Sequence, residues 1–398
     1  MKHNPLLEVL PDFPFDRLRS LLDPITPTSN LSPISLAVGE PQKPIPAFAE
    51  AIITEGRGGW NKYPPFKGSP ELLEAAAGFL KRRYGLGQSD IVAADNVLAC
   101  AGTREALYLL PTWLVPHEKN GQQPIVAMPN PFYHVYGTAA LATGAESLFL
   151  AATPESGHLP NLDDLTPEVL ERLALLFLCT PANPQGLTAD ADYLARAIRL
   201  ARKHDFYLVV DECYADVYDR TAPSGALQVC REIDDGKFDN VIVFHSLSKR
   251  SNGAGLRSGF VAGDPGVIAG YGRFRSYIAA SIPAPIDAAS AALWSDDDHA
   301  EQVRAFYRAN IDTAERIIGD RFGFYRPPGG FFLWLDVGNG EDAAAKLWGE
   351  AGVRVLPGAH TSRADADGVS PGDAFIRVAL VVDKPVLEEA LGRLVKTL

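Results

Sequence analysis

Between residues 96 and 263 the chain alternates short apolar runs with stretches of helical periodicity. The runs are NVLACAG (96–102), PIVAM (124–128), ESLFLAA (146–152), LALLFLCT (173–180), FYLVVDE (206–212), VIVFHSL (241–247) and RSGFVAG (257–263). Several are apolar at successive positions, as expected of parallel strands covered by helices on both faces. Segments such as REALYLLPTWL (104–114) and DADYLARAIRLARKH (190–204) repeat apolar residues every three to four positions, as helices do. The expectation is an α/β fold whose large domain, residues 46–290, holds a mostly parallel seven-stranded sheet between helices. After it the order changes. Long helical patterns at 284–293 and 299–320 precede strand-like FFLWLDV (331–337), VRVLPG (353–358) and FIRVALV (375–381), then a closing helix. That order predicts a smaller α+β domain over 291–398, joined by the proline-rich residues 1–45.

Composition narrows the partners. The 398 residues are 46% hydrophobic, enough for a large core, and 37 basic against 49 acidic residues leave a net charge of −12. Such a balance argues against general affinity for nucleic acid or an anionic membrane, so any anionic ligand must be caught by local cations. The start, MKHNPLLEVLPDFPFDRLRSLL, interrupts with proline and charge the apolar run that a secretory leader needs, and no later run reaches membrane-spanning length. A cytoplasmic protein is expected. Cys100, Cys179, Cys213 and Cys230 lack metal-site spacing and read as buried free thiols, so no metal is expected.

In open parallel sheets ligands lie beyond the carboxyl ends of the strands. Asp211 ends the apolar run FYLVV, where a carboxylate is costly to bury unless it caps a helix, joins an ion pair or meets a cationic ligand. Tyr214 follows three positions on. Lys249 follows VIVFHSLS; a lysine there either reaches water along the surface or sits with a lowered pKa, as an imine-forming amine does. Ser246, Ser248 and Arg257 surround it with hydroxyls and a guanidinium suited to an anion. Gly102-Thr103-Arg104 opens a helix, whose first N–H groups bind phosphate. Asn183, in TPANPQG, is compatible with an ordinary turn, and Tyr133, in PNPFYHVY, with plain core. Taken together these groups suit a ligand with an aldehyde, a phosphate, a phenolic oxygen and a basic ring nitrogen, which pyridoxal 5'-phosphate combines.

The ordered motifs YPPFKG, AGTREAL, PNPFYHVY, PANPQG, DECYADV, SLSKRSNGAGLRSG and FIRVAL resemble, over essentially the whole chain, the fold-type I pyridoxal-phosphate aminotransferases of the aspartate aminotransferase superfamily. The resemblance implies that Lys249 anchors the cofactor as an imine and then shuttles the substrate proton, and that Asp211 pairs with the ring nitrogen. It implies that Tyr214 and Asn183 meet the phenolic oxygen and that Tyr133 stacks on the ring. Ser246, Ser248, Arg257, Thr103 and the backbone of Arg104 would hold the phosphate, with Tyr63 of a second subunit, hence a homodimer with shared sites. Arg377 would grip the substrate α-carboxylate beside Asn183 and the backbone of Gly39. Ping-pong exchange between an amino-acid donor and 2-oxoglutarate, released as glutamate, follows. The loop SNGAGLRSG is smaller than the family pattern suggests and leaves the local pocket shape open.

Within the family, the opening segment, the run SIPAPIDAASAALWSDDDHAEQV and RVLPGAHTSRADADGVSPGDAFIRVALV most resemble the branch acting on N-succinyl-LL-2,6-diaminopimelate in lysine biosynthesis. Lys67, Arg326 and Arg363 are candidates for the cation that reads the distal carboxylates. Aspartate, aromatic, kynurenine or N-acetylornithine aminotransferases and carbon-sulfur lyases share the cofactor residues and remain alternatives. A non-catalytic sensor is a more remote one.

Overall fold

The structure, a computed structural model, describes residue 10 and residues 12–28, 31–234, 237–365 and 367–398. Residues 1–9 and 11, on which part of the leader reading rests, lie outside the described residues.

Twelve strands occur among the described residues: β1 (Ile34–Ser35), β2 (Val97–Cys100), β3 (Ile125–Asn130), β4 (Glu146–Ala151), β5 (Leu173–Cys179), β6 (Tyr207–Asp211), β7 (Val241–Ser246), β8 (Gly259–Gly263), β9 (Phe332–Asp336), β10 (Val353–Arg354), β11 (Leu356–Pro357) and β12 (Phe375–Ala379). The α/β expectation holds. Seven strands form one sheet in the order β2-β8-β7-β6-β5-β3-β4, with β8 antiparallel to both neighbours and the other pairs parallel. Period-two alternation explains why its central strands are apolar at successive positions: Leu176, Leu178, Val210 and Val243 enter one core layer, while Phe177, Val209, Ile242 and Phe244 enter the opposite one.

Local chemistry sets the helix ends. The helix Pro70–Tyr84 begins where the Ser69 side chain accepts from the Leu72 N–H, and stops at Gly85 in the left-handed region, φ 63°. The helix Ala191–His204 starts on Asp190 and ends with Arg202, Lys203 and His204 against the negative end of its dipole.

A further core gathers the long helix Asp298–Ile318, strands β9 and β12, and the helices Gly340–Ala351 and Lys384–Thr397. The N-terminal helix Pro14–Leu22 places Leu18 and Leu22 against Trp348 and Leu356, and β1 runs parallel to β10. The segment 353–358, expected as one strand, is two. Its halves serve different partners, β10 pairing with β1 and β11 with β12, so the chain must turn between them.

Candidate active site

Beyond the carboxyl ends of β5, β6 and β7, and facing β12, opens a cavity of about 560 Å³. Lys249, Asp211, Tyr214, Asn183 and Arg377 line it. So do Thr103, Arg104, Tyr133, Ser246, Ser248 and Arg257, together with Gly39. Tyr63 does not, being fully exposed at 103%.

Asp211 is the last residue of β6 and is buried. Its Oδ2 accepts from the Tyr136 hydroxyl at 2.7 Å and its Oδ1 from the Cys213 N–H at 3.1 Å. Burial raises its pKa, and among the described residues no lysine or arginine forms an ion pair with it. It is therefore neither a helix cap nor half of an arginine pair, but a carboxylate poised for a cation inside the cavity.

Lys249 rides on the single turn Leu247–Arg250 that follows β7, where the Ser246 hydroxyl accepts from the Ser248 N–H. Its Nζ donates to the Gly39 carbonyl at 2.6 Å and lies 5.3 Å from the centre of the Phe331 ring. Burial, with a lesser push from Arg377 and Arg104, lowers its pKa to about 8. Gly39 has no room for a side chain, since a Cβ would meet Phe332 Cζ at 2.4 Å.

Arg377, on β12, is 6% exposed. One of its Nη atoms donates to Asn183 Oδ1 at 3.0 Å and the other to the Ala37 carbonyl at 2.8 Å, while its Nε is buried without a partner. Burial lowers its pKa to about 10. Among the described residues no carboxylate lies at ion-pair distance from it. A desolvated guanidinium with an idle donor is what a carboxylate ligand would satisfy.

At the opposite end, the helix Thr103–Leu114 points its first N–H groups at the cavity behind Gly102, whose φ is 82°. The guanidinium of Arg257 lies over that glycine, so close that a Cβ there would sit 2.1 Å from an Nη atom. Helix start, guanidinium and the two serines converge on one place. Tyr133 forms the wall, its hydroxyl accepting from Arg104 Nε at 2.7 Å.

Sequence reasoning passed over several groups at the site. Tyr136, fully buried behind the cavity and bonded to Asp211, stacks on Phe177 at 4.5 Å; its signal was its place three residues after Tyr133 at the start of a helix. Cys213 is only partly buried and lines the cavity, its Sγ 3.3 Å from the Thr103 hydroxyl, which corrects its reading as a buried thiol. Glu40 and His134 also face the cavity.

None of the three expected distal cations lines the cavity. Arg326 is held by Asp219, Asp312 and Glu315, and Lys67 lies against Gly272. Arg363 sits over the ring of Phe132, a cavity wall, at 5.3 Å; its guanidinium donates to the Ser362 carbonyl and to no carboxylate among the described residues.

Pyridoxal 5'-phosphate fits this donor set: an amine of lowered pKa, an unpaired carboxylate for the ring nitrogen, and a phosphate cradle roofed by Arg257. Comparison with known proteins agrees. The family described as aminotransferase class I and II matches residues 32–394. An aminotransferase structure from Neisseria meningitidis superposes with a TM-score of 0.93 at 34% identity, covering 99% of both chains. The aminotransferase AspB structure from Helicobacter pylori gives 0.88 at 36%, covering 100% of this chain and 99% of the other. An LL-diaminopimelate aminotransferase of Syntrophobacter fumaroxidans is 29% identical over 98% of this chain and 97% of its own.

Proposed function

Because this chain belongs to the class I and II aminotransferases, which use pyridoxal 5'-phosphate, we propose a specific pair of substrates for it. The amino donor is N-succinyl-LL-2,6-diaminopimelate and the acceptor 2-oxoglutarate, giving N-succinyl-2-amino-6-oxopimelate and glutamate. The observation that carries an α-amino acid substrate is Arg377, buried in the cavity wall with an idle Nε and no carboxylate partner among the described residues. A charge-assisted hydrogen bond there contributes about 1.5 to 3 kcal/mol, enough to favour amino acids over plain amines.

When bound, the cofactor draws electrons away from the substrate Cα and so weakens its C–H bond. The chain's residues do the rest. Lys249 holds the cofactor and carries the Cα proton; a pKa of about 8 leaves about a tenth of its amine neutral at pH 7. Asp211 keeps the ring nitrogen protonated, and Tyr136 and the Cys213 N–H orient that carboxylate. Asn183 and Tyr214 attend the phenolic oxygen and Tyr133 the ring face. Thr103, the backbone of Arg104, Ser246, Ser248 and Arg257 hold the phosphate, joined by Tyr63 of a second copy in a homodimer.

The succinyl form is supported by Arg363, a cation beside the cavity free of any described carboxylate. A second reading, unsubstituted LL-diaminopimelate, is favoured by Glu40, a cavity carboxylate able to take a distal ammonium, and by the relative of that name. Glutamate formation from 2-oxoglutarate, measured with both diaminopimelates, N-acetylornithine and aspartate, separates them. The succinyl donor is expected to lead in kcat/KM by at least about tenfold, and Arg363→Ala to raise its KM by about tenfold or more. Preference for the free diamine would replace the first reading by the second, while preference for aspartate, or pyruvate release without glutamate, would defeat both.

A further inference from the structure

Lys249 stands on a helix of four residues, far too short to hold its own geometry. Successive helical side chains diverge by about 100°, and here they face opposite tasks: Lys249 enters the cavity, while Arg250 enters the protein, 2% exposed. Every N–H of the Arg250 guanidinium has a partner. Nε donates to Asp216 Oδ2 at 2.7 Å. One Nη donates to the Leu293 carbonyl at 2.7 Å and to His299 Nε2 at 3.2 Å. The other donates to the Asp296 carbonyl at 3.0 Å and to Asp297 Oδ1 at 2.6 Å. The Phe79 and Trp294 rings lie 5.1 and 5.4 Å from its central carbon.

The same contacts settle the state of His299. A guanidinium can only donate, so Nε2 of His299 accepts from it and from the Ser251 hydroxyl at 2.8 Å, and the ring proton sits on Nδ1, donated to Asp296 Oδ1 at 2.6 Å. Asp216 in turn accepts from Arg83 Nε at 3.1 Å. It also lies five residues beyond Asp211, in the segment that bears Tyr214. Arg250 thus joins three pieces of chain: the turn carrying Lys249, the segment carrying Asp211 and Tyr214, and the junction 293–299 from which the helix Asp298–Ile318 departs.

We propose that Arg250 is a positioning residue for the Lys249 amine, fixing through Asp216 the distance between that amine and the Asp211 carboxylate. The two groups must meet opposite ends of one rigid ring, so a displacement that either tolerates alone is felt when both must engage. The inference rests on the reading of Lys249 as the cofactor lysine. Arginine is required because lysine offers one nitrogen where the fork offers three, aimed at five acceptors.

The test uses the holoenzyme with Arg250→Lys, Arg250→Met and Asp297→Asn, the last removing the charge of one half-exposed acceptor and leaving the fold the least disturbed. For each, cofactor content, melting temperature, kcat, KM and the pH midpoint of the cofactor's visible absorbance are measured. Arg250→Lys and Arg250→Met are expected to lower kcat about tenfold to a hundredfold with KM changed far less, as small misplacements of a reacting group do. Asp297→Asn should lower kcat by about threefold, and all three should shift the absorbance midpoint. A kcat within twofold of the parent together with an unmoved midpoint in Arg250→Lys and Asp297→Asn would overturn the proposal, whatever the melting temperature does. Failure of the underlying reading looks different: Lys249→Ala would still hold cofactor fixable by borohydride.

Discussion

Lys249 carries the largest protonation consequence in the cavity. Burial lowers its pKa from the usual 10.5 to about 8, so the folded chain without cofactor binds its proton less tightly than the unfolded chain does. Below about pH 8 both states are protonated and the folded one bears the full cost of a buried ammonium. Between about 8 and 10.5 only the unfolded chain keeps the proton, and stability rises with pH through that window. Lys249→Met in the cofactor-free protein should therefore be more stable than the parent at pH 7, by up to about 3 kcal/mol, with the gap closing by about pH 10.5. Denaturant titrations at the two pH values check this; equal stability at pH 7 would refute a buried ammonium. The position of Lys249 after an apolar strand made a perturbed amine legible in the sequence. Its partner was not, because Gly39 lies 210 residues away in a segment that no local pattern ties to it.

Among the elements, the helix Thr103–Leu114 shows how a backbone position shapes the proposed phosphate site. Gly102 adopts φ 82°, which L side chains rarely take, and the Arg257 guanidinium occupies the space of its missing Cβ. Gly102→Ala should both strain the turn and displace Arg257, weakening pyridoxal 5'-phosphate binding to the cofactor-free chain by about tenfold or more while leaving helix content intact. Fluorescence titration with the cofactor, beside circular dichroism, measures both, and parental affinity would show that Arg257 does not serve the phosphate. The glycine and threonine before a helical pattern were readable as an anion site. That Arg257 would close over them depended on β8 returning antiparallel beside β2, a pairing the apolar pattern does not specify. Arg326 erred for the same reason: its place near a motif says nothing about the carboxylates Asp219, Asp312 and Glu315 that the fold brings to it.

At the scale of the whole molecule, Tyr63 stands fully exposed, with Trp60 at 53% and Phe66 at 44% nearby in the chain. Tyr277 at 81% and Ile278 at 50% are a second exposed apolar pair, and such side chains are the stuff of subunit contacts. If two copies share their sites, Lys249→Ala in one copy and Tyr63→Ala in the other fall in the same site of a mixed dimer and leave its second site intact. Co-refolding the two inactive or weakened variants should then restore activity, toward about one intact site in each mixed dimer. No recovery above the sum of the separate variants would argue that each chain builds its site alone.

The sequence by itself determined the layered α/β order, the seven strands of the large sheet and the strand ends around which the cavity opens, because these rest on periodicity and on residues within one segment. Only the tertiary structure decided which of those residues face one another. Arg377 meets Asn183 across 194 positions, Tyr136 reaches Asp211 across 75, and Arg250 gathers carboxylates and carbonyls from two distant segments. Contacts of that kind are set by how layers pack, and packing is a property of the folded chain rather than of any stretch of it.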